Sequence, residues 1–164
     1  MRFLFITLSL VVIVNHSSAQ CVYKLDEVDQ FTKTKRLETK EERLFGNMSQ
    51  FVSVYYGKAD SLNYIGFHIG TYECFYIGFN NEILINFSGG SQMTLKRDKS
   101  SDVSTIYGTT WVLWTKYWLN ESELFQLQNK IITGIRIYHS QGIIEKTEIK
   151  SKFALKVKDL ANCI

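Results

Sequence analysis

Between Leu62 and Arg97 the chain alternates apolar, aromatic and β-branched runs with short polar or glycine breaks: YIGFHI, CFYIGF, ILINF and, after Ser88-Gly89-Gly90, MTL. This spacing predicts the strands of a β-meander. Asn80-Asn81 and Gly89-Gly90 suit the positive-φ positions of two-residue hairpin turns, so neighbouring strands are expected to pair antiparallel. Gln50 to Tyr56 alternates Phe51, Ser53 and Tyr55 against Val52, Val54 and Tyr56, which predicts a strand with one wetter face. Gly57 to Ser61 then reads as the turn into the meander. Before it, Glu41 to Gly46 is a strand or frayed end, and order is expected to begin near Lys33, since Cys21 to Lys40 is polar and charged. Arg97 to Ser104 is the most polar stretch and is expected to be a mobile loop.

Thr109 to Leu119 holds all three tryptophans. As a strand it sends Trp111, Leu113 and Tyr117 to one side and Val112, Trp114 and Trp118 to the other, so large rings fall on both faces. Because aromatic side chains dominate cores, the expectation is that core covers one face and a helix the other. The functional alternative is a surface platform for sugar rings or apolar ligands, with Trp111, Trp114, Tyr117 and Trp118 as candidate contacts. Asn120-Glu121-Ser122-Glu123 has the form of a capping box and predicts a short helix to about Gln128. Ile131–Tyr138 and Ile143–Lys150 follow as a hairpin through His139 to Gly142. Phe153, Val157, Leu160 and Ile164 fall at helical spacing, with Ser151 as a cap. The expected class is α+β: one domain with a curved antiparallel sheet of about eight strands, a short helix and a C-terminal helix. A closed, lipocalin-like barrel is the alternative.

The N-terminus changes the picture of where this domain works. Arg2, an apolar run from Phe3 to Val14 and a small-residue exit ending in Ser18-Ala19 form a secretory signal peptide. The run falls short of the roughly 20 residues of a spanning helix, so cleavage after Ala19, not anchoring, is expected. A lipid anchor on Cys21 is disfavoured because Gln20 is not small. Residues 20–164 remain as one exported domain, and loss of Arg2 takes the net charge from +3 to +2. So small an excess gives no footprint for nucleic acid. The absence of proline excludes proline-rich linkers and ligands. An exported chain meets an oxidising compartment, and three cysteines allow one internal bridge. Cys21 with Cys163 is preferred because chain ends often lie close together, which leaves Cys74 as a buried thiol; Cys74 with Cys163 is the rival pair.

Catalytic patterns are missing: no HExxH, CxxC, GxSxG, P-loop or GxGxxG occurs. His68 with Cys74 as a nucleophile pair, or His68 with His139 at a metal, would have suitable residue types but no telling spacing. Asp26, Glu27 and Asp29 lack the glycine-containing loop of a calcium site. No catalytic residue, metal ligand or cofactor is therefore assigned. The Ser-Ala-Gln end of the leader, the Asp-Glu-x-Asp-x-Phe-Thr opening, the NKIITGIRIYHSQGIIEK hairpin and the Asn-Cys-Ile close resemble small exported proteins of unknown function from Bacteroides-type Gram-negative bacteria. In a bacterium the sequons at Asn47, Asn86 and Asn120 carry no meaning. The resemblance implies a periplasmic or secreted location. The expected function is a non-catalytic binding or interaction module of the cell envelope, its partner a carbohydrate, an apolar ligand or another envelope protein; a small secreted hydrolase is the alternative.

Overall fold

Strands that bury side chains on both faces must be central in a sheet, and two segments of this chain meet that condition. Phe51–Ala59 (β4) is buried from Phe51 to Gly57, and Leu62–Thr71 (β5) from Tyr64 to Phe67 and again at Ile69 and Gly70. The computed structural model describes residues 21–96 and 102–164; the predicted leader and residues 97–101 of the predicted loop lie outside them. The two strands form a hairpin turning at Asp60 and Ser61, later than the turn expected at Gly57, with Asp60 at a φ of 51°.

Around this hairpin the main sheet runs Tyr23–Val28 (β1), Lys35–Thr39 (β2), β4, β5, Thr110–Leu119 (β11) and Thr105–Tyr107 (β10), while Glu42–Gly46 (β3) continues the line of β2 along β4. Order begins at Tyr23, earlier than expected, because β1 folds back on β2. Thr39, fully buried at the bend between β2 and β3, accepts the amide N–H of Tyr56 at 3.0 Å and so fills the break in the ladder. The sheet curls but stays open, with β1 and β10 at its ends, so it is not the closed barrel of the alternative.

The second sheet takes Gly142–Lys146 (β13), Ile132–His139 (β12), Ile83–Phe87 (β7) and Gln92–Leu95 (β8), in that order. Tyr76–Ile77 (β6) pairs only with Asp102–Val103 (β9). The stretch from Leu62 is therefore no simple meander: β5 pairs with β4 and β11, and only β7 and β8 form a hairpin, through Gly89 and Gly90 at positive φ. Asn80 and Asn81 do not adopt positive φ. The class stands: antiparallel sheets with helices Glu121–Asn129 (α1) and Ser151–Ala161 (α2).

Val52, Val54, Tyr56, Ile65, Phe67 and Ile69 pack from the main sheet against Ile83, Ile85 and Ile137 of the second, and against Ala154 and Val157 of α2. Asn120 caps α1 through the full capping box, accepting Glu123 N–H at 2.9 Å while Glu123 accepts the Asn120 N–H at 2.8 Å. Ser151 is the first residue of α2 rather than its cap, and Lys150 before it makes no side-chain cap bond.

A disulfide joins Cys21 to Cys163, with Cα atoms 5.6 Å apart, and Tyr23 donates its hydroxyl to the Cys163 carbonyl at 2.9 Å. The end of α2 is thereby tied to the edge strand β1. Cys74 is exposed, contrary to expectation, because β5 stops at Thr71 and Phe75 takes the core position beside it. Reduction should lower unfolding free energy by about 4–5 kcal/mol in the chain-entropy account of a loop this long. Urea titrations with and without reductant measure it, and coincident curves would remove the bridge from the stability of the fold.

Candidate binding face on the main sheet

The outer face of the main sheet follows from period-two alternation and register. On β4 it carries Phe51, Ser53, Tyr55 and Gly57; opposite them on β5 stand Gly70, His68, Gly66 and Tyr64. Large faces small at every level. The rings lie down on the glycines: a Cβ at Gly66 would come within 2.1 Å of the Tyr55 ring, at Gly70 within 2.4 Å of the Phe51 ring and at Gly57 within 2.2 Å of the Tyr64 ring. Glycine is needed here for close approach. As a result Phe51, Ser53 and Tyr55 are at most 8% exposed although this is the outer side, so the wetter face expected of β4 is dry.

β11 continues the grid with Val112, Trp114, Lys116 and Trp118, opposite Gly70, His68, Gly66 and Tyr64. At two of these levels large meets large. The Trp114 indole stacks on the His68 imidazole, centroids 4.2 Å apart and planes within 14°, and Trp118 meets Tyr64 edge-on at 5.4 Å. Trp114 is 49% exposed and Trp118 54%. The expectation that both faces of β11 are covered is thus overturned: α1 and α2 pack on the inner side, with the core. The four candidate contacts divide. Trp114 and Trp118 share the outer face, whereas Tyr117 points into the core at 2% exposure, its ring 5.9 Å from Phe67. Trp111, with the inward parity of Tyr117, pairs with Thr71 and Ile106 at the end of the sheet.

Two carboxylates reach over the small residues of β4. Glu41 passes to His68, placing Oε2 2.8 Å from Nδ1. Glu38, opposite Gly57, accepts the Tyr64 hydroxyl at 2.5 Å and pairs with Lys116, whose ammonium lies 4.5 Å from the Tyr64 ring centroid. Burial works to raise the Glu38 carboxyl, but the hydrogen bonds from Lys116 and Tyr64 outweigh it and hold the group below the usual glutamate range. Burial first, and Glu38 second, push the Tyr64 hydroxyl well above the ordinary phenol range.

Between Trp114 and the end of the sheet lies a cavity of about 450 Å³ lined by Met48, Phe51, His68, Tyr107, Thr110, Val112 and Trp114. Met48 and Tyr107, at 92% and 81% exposed, stand at its rim. Met48 is held there by a turn in which the Asn47 side chain accepts the N–H groups of Ser49 and Gln50, each at 2.9 Å. Sequence reasoning missed Phe51, His68 and Tyr107 as parts of this site. The signal was present in the Tyr-x-Gly-x-His-x-Gly alternation of β5, since isolated glycines in a strand mark close approach.

In chemical terms the face offers flat apolar surface with a few fixed polar groups. Glu41 orients His68 as a carboxylate orients a general base, yet Nε2 is buried with no hydrogen-bond partner, and Ser53, opposite in register, is 3% exposed. No group of three or more His, Cys, Asp or Glu able to hold a metal occurs among the described residues. Comparison with protein-family models, with curated proteins and with solved structures returns no match for this chain. Function is therefore read from this face.

Two expectations test the face as a packed structure. Gly66→Ala should destabilise the fold by about 1–3 kcal/mol by lifting the Tyr55 ring; an unchanged denaturation midpoint would show that the ring does not rest on the backbone. The Glu38 carboxyl is lowered in the folded state, so its contribution is present above the ordinary glutamate value and is lost as pH falls through the lowered one. Stability measured by denaturant at stepwise lower pH should fall in that acidic window, and Glu38→Gln should flatten the fall. Identical slopes would place the acid sensitivity elsewhere.

Proposed function

We propose that the protein is an exported, non-catalytic binding module of the cell envelope whose ligand lays a flat apolar face, a sugar ring or another apolar group, on the outer sheet at Trp114 and Trp118. The observation that carries this reading is the half-exposure of both indoles on a face that no helix among the described residues covers, each braced from behind by an aromatic of β5. Tryptophan so placed keeps one side for a ligand while its position is fixed in advance, which lowers the ordering cost of binding. A cavity of this volume, mostly apolar with a few polar groups, is of the kind that seats a small ligand. Binding is favoured over hydrolysis because Trp114 and Phe51 both lie against the imidazole of His68, and Nε2 has no nucleophile within hydrogen-bond reach. Export is supported by the leader pattern and by the Cys21–Cys163 bridge. Among the described residues no helix is long and apolar enough to cross a membrane.

Trp114→Ala should abolish binding while costing about 2 kcal/mol of stability, less than a fully buried tryptophan would, since half of the ring is already in water. Tryptophan fluorescence titrated with a panel of neutral sugars and small aromatic compounds reads the binding, and urea denaturation reads the stability. Wild-type affinity in the variant would remove Trp114 from the site, and a loss of about 3–5 kcal/mol would make the ring a core residue.

A further inference from the structure

The Trp114 cavity does not end at Phe51. A cleft of about 370 Å³ shares that residue and runs over Gly70 to Ile143 and Ile144 of β13; a third, of about 300 Å³, shares Gln50, Thr71, Ile143 and Ile144 with the second and extends to His139 and Gln141. The three clefts adjoin one another through these shared lining residues, in a line. This path leaves the aromatic face, rounds the open end of β4 and β5, and finishes on the hairpin of the second sheet. Ile143 is 53% exposed along it.

We infer that this path binds a neutral glycan chain of several sugar residues, with Trp114 at one end and the β12–β13 hairpin at the other. The inference rests on the proposed binding face and extends it. No lysine or arginine among the described residues lines the three clefts, and two carboxylates do: Glu73, and Glu145, which is paired with Arg136 at 2.7 Å. An anionic polymer would meet these two carboxylates, while the nearby cations are already engaged, Arg43 over the Phe51 ring at 4.2 Å and on the Asn47 carbonyl, and Arg136 on Glu145. The polar groups facing the path are mostly neutral. Among the described residues the side-chain amides of Gln50 and Gln141 and the hydroxyl of Thr110 have no hydrogen-bond partner, and the turn bonds of Asn47 engage its amide oxygen rather than its NH₂. His139 accepts the Gln141 N–H on Nδ1 at 3.3 Å, and burial lowers its basicity, which keeps the ring neutral with Nε2–H as a donor. Side-chain amides carry donors and acceptors together, which matches adjacent sugar hydroxyls that do both. Aromatic and isoleucine surfaces alternate with these groups, as the apolar faces and hydroxyl edges of a glycan do.

The test uses the disulfide-bonded chain from residue 20 and unbranched neutral oligosaccharide ladders of β-linked glucose, xylose and N-acetylglucosamine, from disaccharide to hexasaccharide, in calorimetric titration. One ladder should gain about tenfold or more in affinity between disaccharide and hexasaccharide. The double variant Gln50→Ala, Gln141→Ala, both at exposed positions, should cost the hexasaccharide about tenfold and leave the disaccharide unchanged, whereas Trp114→Ala should abolish both. Affinity independent of length, with the double variant neutral and Trp114→Ala still abolishing binding, would overturn the extended path and leave the binding face standing. Binding of no sugar, with an unstructured peptide or small aromatic compounds bound in a Trp114-dependent way, would overturn the glycan. Trp114-independent binding of every probe would sink the face together with the path.

Discussion

A curled sheet with one side on the core and, among the described residues, no layer over the other must shield its outer backbone with its own side chains. Here that constraint is met by the complementary register of β4 and β5, where Phe51, Tyr55 and Tyr64 lie across Gly70, Gly66 and Gly57. A glycine in a strand weakens it by entropy and by lost side-chain packing, but a ring laid over it restores the buried area. The three pairs run in both directions, two with the ring on β4 and one with it on β5, so a slip of either strand takes rings off their glycines. The β4–β5 hairpin is thus fixed in register from its outer side as well as from the core, and β11 is added to a surface already set.

Electrostatic contacts on the same face depend on that pattern. Gly57 and Ser53 raise no large side chain of their own over β4, and across these positions Tyr64 and His68 of β5 meet Glu38 and Glu41. Glu38 then links β2, β5 and β11 in one hydrogen-bonded group with Tyr64 and Lys116. An ion pair in open water contributes little; this one is partly desolvated and shares its carboxylate with a phenol, and the lowered acidity range of Glu38 reports that the charged form is favoured by its partners.

What was legible in the chain was local. The capping box at Asn120 and Glu123, the β12–β13 hairpin, the two-faced alternation of β11 and the amphipathic C-terminal segment are written within a few residues of one another, where side-chain chemistry decides geometry. The Cys21–Cys163 pair was accessible because so few cysteines leave few pairings. What escaped depends on partners distant in sequence. CFYIGF has the composition of a strand, yet only Tyr76 and Ile77 pair, because β5 on its N-terminal side is already flanked by β4 and β11. Cys74 is exposed because β5 has already ended at Thr71 and Phe75 takes the core position. Likewise the polar alternation of Tyr23–Val28 reads as loop until β2 supplies its ladder, and Ser53 reads as wet until the rings of its neighbours close over it.

The division of labour on the outer face bears on how a binding surface can coexist with a stable fold. Residues that hold the register, Phe51, Tyr55 and Tyr64, are dry and point their rings along the sheet. Those that face solvent, Trp114 and Trp118, belong to β11, whose inward residues Leu113, Tyr117 and Leu119 secure it independently. Half of each indole is therefore spare with respect to folding, while its position is set by His68 or Tyr64 behind it. Binding energy gained at such a ring would not be offset by the cost of ordering it, and the inward residues of β11 would still hold the strand if the ring were exchanged. On this physical ground the β11 tryptophans, rather than the more numerous aromatics of β4 and β5, are the residues on which recognition can be built and changed without loss of the fold.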